Sequence, residues 1–291
     1  MWNGSMGVKR RKQIRNILFL IILILLSLIF AMPFLFMLSS AFKTPQQNAA
    51  YPPTWIPDPF TLRAFREGFE AFNFSRSFFN SAVITTLSIA GNLLSTTLVA
   101  YGFSRLRARL SSFFSMVMFS TMLVPWIVTF IPLYIMYARI DFLDTYIPLI
   151  LPYFLSCNVF SVFLMRSFFN GIPKDLDEAA KIDGCSTFAI LYRIILPNTK
   201  AVLLIVSLFV FINTWNDFFA PLIYLSDPDS YTLAVGLAIW NNSVSTNFVS
   251  RVGDPSPLMA MSLLTVIPIM ILYAVAQKYF IEGVVTSGLK G

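Results

Sequence analysis

Histidine is absent from this chain of 291 residues, and cysteine occurs only twice. Histidine is the most common general base and metal ligand, so its absence removes the usual chemistry of a membrane-embedded enzyme. The two cysteines, Cys157 and Cys185, are too far apart in the expected topology to form a bridge. No G-x-S-x-G, H-E-x-x-H or clustered-cysteine motif compensates. We therefore predict neither a catalytic residue nor a metal site.

A nucleotide-binding loop is also missing. The sequence contains no G-x-x-x-x-G-K-[ST] motif, in which backbone amides would hold nucleotide phosphates. If this protein works with ATP, another polypeptide must hydrolyse it. We therefore predict that the chain is not an enzyme and carries no cofactor.

Charged residues make up only 12% of the chain, whereas 57% are hydrophobic, which is too apolar for a soluble protein of this length. A hydrocarbon core about 30 Å thick needs about 20 apolar residues per helix. The candidate spans are 17–38, 80–103, 113–137, 146–165, 201–224 and 258–280. The sequence thus predicts an all-α, polytopic membrane protein with six transmembrane helices. A basic segment at 1–16 precedes the six-helix domain at 17–281, and a short tail at 282–291 follows it.

The distribution of basic residues predicts the orientation. If the N-terminus is cytoplasmic, all but six of the 21 lysines and arginines lie on the inner side, as the positive-inside rule requires. The six outer residues are Lys43, Arg63, Arg66, Arg76, Arg139 and Arg251. Both termini are then cytoplasmic. Because topology accounts for the net charge of +7, we do not expect nucleic acid as a partner.

The start of the chain allows a second interpretation. A basic cluster at 9–12, an apolar run and Ser39-Ser40-Ala41 together imitate a secretory signal with a cleavage site. The apolar run at 17–38 is, however, longer than the roughly 7 to 15 residues of a signal h-region. We therefore favour a retained first helix.

One polar loop, at 166–200, interrupts the apolar spans and predicts two short helices. Pro173 suits the first position of a helix, and Asp175, Asp177 and Glu178 place negative charge near its positive end. Gly184 is expected in the left-handed conformation at the end of this helix. The second helix should carry one apolar stripe and end at Pro197. The stripe residues are Phe188, Leu191, Tyr192 and Ile195.

Two roles for this loop remain open on pattern alone. Its helices could dock another protein, because Ala179 and Ala180 are small enough to let a partner approach the backbone. They could equally lie on the membrane interface and only connect two spans, since amphipathicity is typical of interfacial helices.

The loop residues resemble the signature of permease subunits of binding-protein-dependent ABC importers, which reads E-A-A, two residues, D-G, nine residues, I-x-L-P. The residues at its fixed positions are Glu178, Ala179, Ala180, Asp183, Gly184, Ile194, Leu196 and Pro197. The one departure is Cys185, where family members usually carry alanine, and it is conservative in size. The resemblance implies that these residues couple the chain to an ATPase.

Further segments resemble the carbohydrate-importing members of this family, in particular the smaller permease of the maltose transporter. They are Phe79-Asn80-Ser81, Trp215-Asn216-Asp217-Phe218, Pro221-Leu222 and the ending at 283–291. The resemblance covers nearly the whole chain and implies the type I ABC importer permease fold in a bacterial cytoplasmic membrane. It also implies a heterodimer with a second permease, two ATPase subunits that bind ATP and magnesium, and an external solute-binding protein. Membrane lipid would surround the spans.

Ionisable residues are almost absent from the spans, which makes Asp217 conspicuous. An intramembrane carboxylate is a candidate functional group because of its desolvation cost. Together with Asn213 and Asn216, it could instead cap or cross-link helices near the outer mouth of the path. We favour this second role because the desolvation cost falls near the interface.

The tail at 282–291 gives conflicting indications. Its composition alone predicts a frayed and dispensable end. The family resemblance implies instead that it contacts the ATPase subunits, through Gly283, Gly288, Lys290 and Gly291.

Two other classes of transport protein fit less well. A secondary transporter of a small polar solute would need paired broken helices in corresponding halves and coupling-ion ligands, and the sequence shows no such repeat. A channel would need rings of carbonyls or charges, and none is apparent. We keep the secondary transporter as the alternative.

Overall fold

The computed structural model describes residues 4–106, 109–155, 158–246 and 254–288. Within these ranges the chain has no strand, and 80% of it is helical, which confirms the all-α class. The helices are α1 (Gly4–Ala41), α2 (Pro45–Ala49), α3 (Arg63–Ala71), α4 (Phe74–Arg105), α5 (Ser111–Ser120), α6 (Trp126–Arg139), α7 (Ile147–Phe154), α8 (Val159–Gly171), α9 (Asp175–Ile182), α10 (Thr187–Ile190), α11 (Leu196–Asn198), α12 (Lys200–Trp215), α13 (Phe219–Tyr224), α14 (Leu233–Thr246) and α15 (Ser256–Gly288). A π-helical turn at Leu191–Ile195 joins α10 to α11.

The chain forms two compact units, of which the first comprises residues 1–71 and 241–264. Residues 17–38 of its α1 are apolar on nearly every side and mostly exposed, as expected of a helix that lipid surrounds. Ion pairs and a hydrogen bond connect the segments of this unit that follow α1. Arg63 contacts Glu67 and Asp254, and Asn48 donates to the Ser256 hydroxyl at 2.6 Å.

The second unit comprises residues 72–240 and 265–291 and is organised around α4. This helix packs against α7, α8 and α12. Small and hydroxyl side chains dominate its buried surface, which allows neighbouring helices to approach closely. At Gly91 an added Cβ would lie only 2.3 Å from the Phe154 ring. A cluster of buried apolar residues from α4, α8, α9 and α12 surrounds the predicted cytoplasmic end of α4.

Among the described residues, four helical stretches are long and apolar enough to cross a membrane: Arg11–Ala41, Phe74–Arg105, Ile147–Gly171 and Ser256–Gln277. Residues 156–157, within the third stretch, lie outside the described part of the chain. Two helix pairs meet the same requirement only when each is taken as one bent span. They are Ser111–Leu123 with Trp126–Arg139, bent by 97°, and Thr187–Asn198 with Lys200–Trp215, bent by 81°. The predicted number of six spans is reached if both pairs are counted.

The predicted span at 113–137 is not one continuous helix. Val124 is extended, and α6 begins immediately after Pro125. Proline disfavours the helical region for the residue before it, so the chain turns sharply at this point.

The predicted span at 201–224 is also broken. It consists of α12 and α13, which are separated by residues 216–218. Pro221 has no N–H to donate to the carbonyl of Asp217, four residues earlier, so an unbroken helix would leave that carbonyl without its usual partner.

Candidate functional site

The first half of the loop at 166–200 contains α9, whose first turn holds Asp175, Asp177 and Glu178. Their negative charge complements the positive end of the helix dipole. The helix ends at Ile182, and Asp183 follows as its C-cap.

A left-handed glycine closes this helix, as predicted. Gly184 has a φ of +79°, and its N–H donates to the Lys181 carbonyl at 3.1 Å. The N–H of Cys185 donates to the Ala180 carbonyl at 2.9 Å. This pair of bonds is the Schellman motif, which turns the chain away from the helix axis and requires a residue that tolerates positive φ.

The second half of the loop departs from the predicted single stripe. Leu191 and Ile195 are buried, but Phe188 and Tyr192 are 73% and 75% exposed. Leu191 and Ile195 share the buried side with Ile190, so the helix turns this side to the bundle and leaves Phe188 and Tyr192, four residues apart, on its outer side.

The second helix ends at Asn198, one residue after Pro197, which is close to the predicted end. The 81° bend follows at Thr199.

The signature residues divide between the loop surface and its core. Ala180 is buried, and Ile194 and Leu196 are half-buried against the apolar cluster. The remaining residues are exposed: Glu178, Ala179, Asp183, Gly184 and Pro197. The loop thus has an inner side that fixes it to the helix bundle and an outer side available for contact.

An ion pair that the sequence did not reveal fastens this loop to α4. The Nη1 atom of Arg105 lies 3.3 Å from Oδ2 of Asp177, and both side chains are buried. The Nη2 atom of Arg105 donates to the carbonyls of Phe169 and Ile172, at 2.5 and 2.8 Å. No sequence spacing links these residues, because they meet only when α4 and α8 pack together.

A cavity of about 590 Å³ lies within the second unit, among residues of α4, α6, α7, α8, α12 and α13. Its aromatic lining consists of Trp126, Phe130, Tyr153, Phe160 and Tyr224. Its polar lining consists of Thr121, Thr129, Asn158, Asn213, Thr214 and Asp217. Aromatic walls with a few convergent polar groups are typical of sites for small polar organic ligands.

The three polar residues predicted near the outer mouth are only partly brought together. Asn213 and Asp217 line the cavity, whereas Asn216 does not and donates to the Ile212 carbonyl at 2.8 Å. Asp217 lies in the break between α12 and α13, and its Oδ1 accepts from the Ala220 N–H at 3.2 Å. The carboxylate therefore both caps α13 and faces the cavity, and its part in transport remains a prediction.

The other segments that carry the subfamily resemblance hold helices and loops in place. Asn80 donates to the carbonyls of Asp229 and Tyr231, at 2.9 and 3.0 Å, while Phe79 is exposed. The Trp215 indole donates to the Thr265 carbonyl at 3.1 Å. These contacts fix α4, α12 and α15 within the second unit.

The tail begins as part of α15, which is helical through Gly288. Gly283 therefore lies in the helix, while Lys290 and Gly291 fall outside the described residues. Contact of this segment with an ATPase remains a prediction. In the described ranges no group of three or more histidine, cysteine or acidic residues could hold a metal ion.

Comparison with known proteins places the chain in a family. The model of the family described as "Binding-protein-dependent transport system inner membrane component" matches residues 92–285. The probable ABC transporter permease protein YurM of Bacillus subtilis is 31% identical over 265 residues, which cover 90% of this chain and 84% of that protein. The galactooligosaccharides transport system permease protein GanQ of the same species is 29% identical, over 98% of this chain and 99% of that protein.

A solved structure confirms the type I ABC importer permease fold. In the crystal structure of a bacterial ABC transporter involved in the import of the acidic polysaccharide alginate, one chain superposes with a TM-score of 0.80. The match covers 93% of this chain and 98% of that chain at 23% identity, so it bears on the fold alone. Since the family model matches most of the sequence and this fold agrees with it, the chain belongs to the family of inner membrane components of binding-protein-dependent transport systems.

Proposed function

We propose that this chain is one of two permease subunits that together enclose the import path for a sugar or oligosaccharide, while separate subunits hydrolyse ATP. The observation that carries the proposal is the geometry of the loop at 166–200, which contains the E-A-A signature. Its first helix is closed by Gly184, its core side is packed on the bundle, and Glu178, Ala179 and Asp183 are exposed. Membership of this family supports contact between such a loop and an ATPase subunit.

The exposed side of the loop supports protein docking more than membrane contact. The buried apolar residues Ala180, Ile190 and Leu191 already pack on the protein's own cluster, so this surface is not available to lipid. The exposed side mixes the charges of Glu178 and Asp183 with large apolar side chains, as a protein interface does. The apolar members are Leu176, Ile182, Phe188 and Tyr192.

The cavity supports a carbohydrate substrate. Sugar rings have apolar faces that pack on aromatic side chains, and hydroxyl edges that need hydrogen-bond partners. Both kinds of group line the cavity, with Trp126 and Tyr153 among the rings and Asn158 and Asn213 among the polar residues. Relatives named for galactooligosaccharides and for polygalacturonan and rhamnogalacturonan agree with this class.

Import would follow alternating access. Two ATPase subunits close on ATP and magnesium and displace the docked loop, and the path then opens outward. An external solute-binding protein delivers the sugar to the opened path. The bent spans at Pro125 and at residues 216–218 give the lining helices places where they can change angle.

The test is reconstitution of the chain in liposomes with a second permease, ATPase subunits and a solute-binding protein of the same transport system. ATP hydrolysis and uptake are measured against a panel of neutral sugars, acidic sugars and polyols presented with the binding protein. We expect at least one saccharide to raise both ATP hydrolysis and uptake. Uptake that needs no ATP and collapses with the ion gradient would support the secondary transporter instead.

A further inference from the structure

We propose that Arg105, Asp177 and Tyr101 form a positioning link that carries displacement of the coupling loop into α4 and thereby to the cavity. By coupling loop we mean residues 166–200. The inference rests on the proposed function, because it assigns residues to the step between ATP hydrolysis and opening of the path. None of the three belongs to the E-A-A signature.

Arg105 joins three parts of the chain at one buried point. One arm of its guanidinium donates to the carbonyls of Phe169 and Ile172, at the end of α8. The other arm faces Asp177 in the first turn of α9, at 3.3 Å. Only 2% of the Arg105 side chain is exposed, so solvent does not screen this charge.

Tyr101 makes the second attachment, one helical turn before Arg105. Its hydroxyl donates to the Thr187 carbonyl at 3.2 Å, where α10 begins. Both short helices of the coupling loop are therefore fastened to the last two turns of α4. The buried side chains of Ile190 and Ile195 pack in the same cluster as the Tyr101 ring.

α4 is the rigid connection from this point to the cavity. It has 32 residues with no proline inside, which corresponds to about 48 Å at 1.5 Å per residue. Farther along the same helix Ile84 lines the cavity, and Thr85 bonds Thr214 of the cavity wall at 3.1 Å. The direct chain connection from the loop to α12 is, by contrast, interrupted by a bend of 81° at Thr199.

The Arg105–Asp177 pair is not saturated with hydrogen bonds. Among the described residues, Oδ1 of Asp177 and the Nε and Nη1 atoms of Arg105 have no hydrogen-bond partner. Charge attraction thus holds the pair without a fixed hydrogen-bonded geometry. Such a contact can adjust in length as the loop moves and still keep α9 attached to α4.

The experiment uses the complete reconstituted complex and measures sugar taken up per ATP hydrolysed. The variants are Arg105→Gln, Asp177→Asn, the double variant Arg105→Gln/Asp177→Asn, and Tyr101→Phe. The single changes at the ion pair leave one buried charge unpaired, so they are expected to lower the yield of assembled complex. The double variant removes both charges and should assemble better than either single variant.

The assembled double variant distinguishes a role in coupling from a role in stability alone, because its uptake per ATP can be measured after assembly has recovered. We expect it to hydrolyse ATP at near the basal rate but to take up about tenfold less sugar per ATP, within the roughly 5- to 150-fold range of measured site coupling. Tyr101→Phe keeps the ring packing and should show a smaller loss in the same direction. Asp175→Asn is the matched control, because it removes the same charge from an exposed position on α9. Its uptake of sugar per ATP hydrolysed should equal that of the unchanged protein.

Unchanged uptake per ATP in both the double variant and Tyr101→Phe would overturn the link. Recovery of assembly together with full coupling in the double variant would show that the pair only stabilises the fold. If the unchanged complex hydrolyses ATP but transports no saccharide, the proposed function fails, and the link falls with it. If the unchanged complex transports a saccharide and the variants do not lose uptake per ATP, only the link is refuted.

Discussion

Single residues set the local chemistry of the cavity, and Asp217 has two roles there. Its side chain both caps a helix and lines the cavity. Its Oδ1 accepts the Ala220 N–H, which would otherwise have no partner at the start of α13. The same residue lines the cavity beside Asn213. An asparagine could replace it as a cap but would bring no charge to the cavity.

We therefore expect Asp217→Asn to retain transport with at most a modest loss of protein yield. Asp217→Ala should cost about 1 kcal/mol through the lost cap. Uptake and yield of assembled complex are compared for both variants. Complete loss of uptake in a normally assembled Asp217→Asn complex would show that the carboxylate charge itself is required.

Asp144 fixes the loop after α13 through its carboxylate. Its Oδ1 accepts the N–H groups of Ser226 and Asp227, at 2.9 and 3.0 Å, and these bonds hold the pKa of Asp144 below its ordinary value. A lowered pKa means that the stabilising contribution is complete above the ordinary pKa of about 3.9 and is lost as the pH falls through the lower, folded value.

We expect amide exchange at 226–227, corrected for the intrinsic effect of pH, to accelerate as the pH falls from 6 to 3. Asp144→Asn should remove most of this dependence, because an amide oxygen accepts at any pH and asparagine tolerates the φ of 58° at this position. Equal pH dependence in both proteins would show that another group holds the loop.

At the level of secondary structure, the coupling loop depends on how α9 ends and on what it exposes. Gly184 lies at a φ of +79°, and an added Cβ there would meet no atom within 4 Å in the part of the chain that the structure describes, so its requirement is conformational and not a matter of space. Glu178 is exposed on the same short helix. The two residues therefore test the shape and the charge of the loop separately.

Gly184→Val is expected to abolish uptake, because a β-branched residue at this φ costs about 1–3 kcal/mol and would unwind the Schellman turn. Glu178→Lys should abolish uptake by reversing a charge at the contact. Membrane insertion and protein level serve as the control, and both should be normal. Normal uptake in both variants, at normal levels, would contradict the docking assignment.

Helix packing along α4 gives a matched pair of glycines. An added Cβ at Gly91 would lie 2.3 Å from the Phe154 ring, whereas at Gly102 it would meet no atom of the described residues within 4 Å. Both positions lie on the same helix, so helix propensity changes equally at each.

We expect Gly91→Ala to lower thermal stability by an amount equivalent to about 1–3 kcal/mol, because the ring of Phe154 must move. Gly102→Ala should be neutral or stabilising by up to about 1 kcal/mol. Thermal unfolding of the purified protein in detergent measures both changes. Equal behaviour of the two variants would show that α4 and α7 are not in close contact at Gly91.

For the whole molecule, the tail is the test of assembly with the ATPase subunits. The tail continues α15 as helix to Gly288, so a helical extension leads toward the predicted cytoplasmic side. Deletion of residues 286–291 removes only the end of this extension and leaves the apolar part of α15 intact.

This deletion is predicted to weaken the rate or regulation of ATP hydrolysis without preventing assembly of the complex. The measurement is ATP turnover of the reconstituted complex with and without binding protein and sugar. A truncated complex that matched the full-length one in basal rate, stimulated rate and uptake would show that the tail has no contact of consequence.

The amino-acid sequence by itself determined the membrane class, the approximate spans and the position of the polar loop at 166–200. Apolar runs report on the surrounding lipid, whatever the packing of the helices, because a polar side chain that faces the hydrocarbon core is costly. The turn at Gly184 was equally predictable, since a helix that ends in a Schellman motif needs a residue with positive φ, and glycine meets that need locally.

Only the tertiary structure decided the bends, the loop's buried side and the composition of the cavity. Proline is tolerated within membrane helices, so Pro125 alone could not distinguish a kink from a 97° turn. The exposure of Phe188 and Tyr192 depends on which side of their helix faces the bundle, and no periodicity records that. The pairing of Arg105 with Asp177 likewise depends on which helices meet, and contacts between distant segments are fixed by packing and not by sequence spacing.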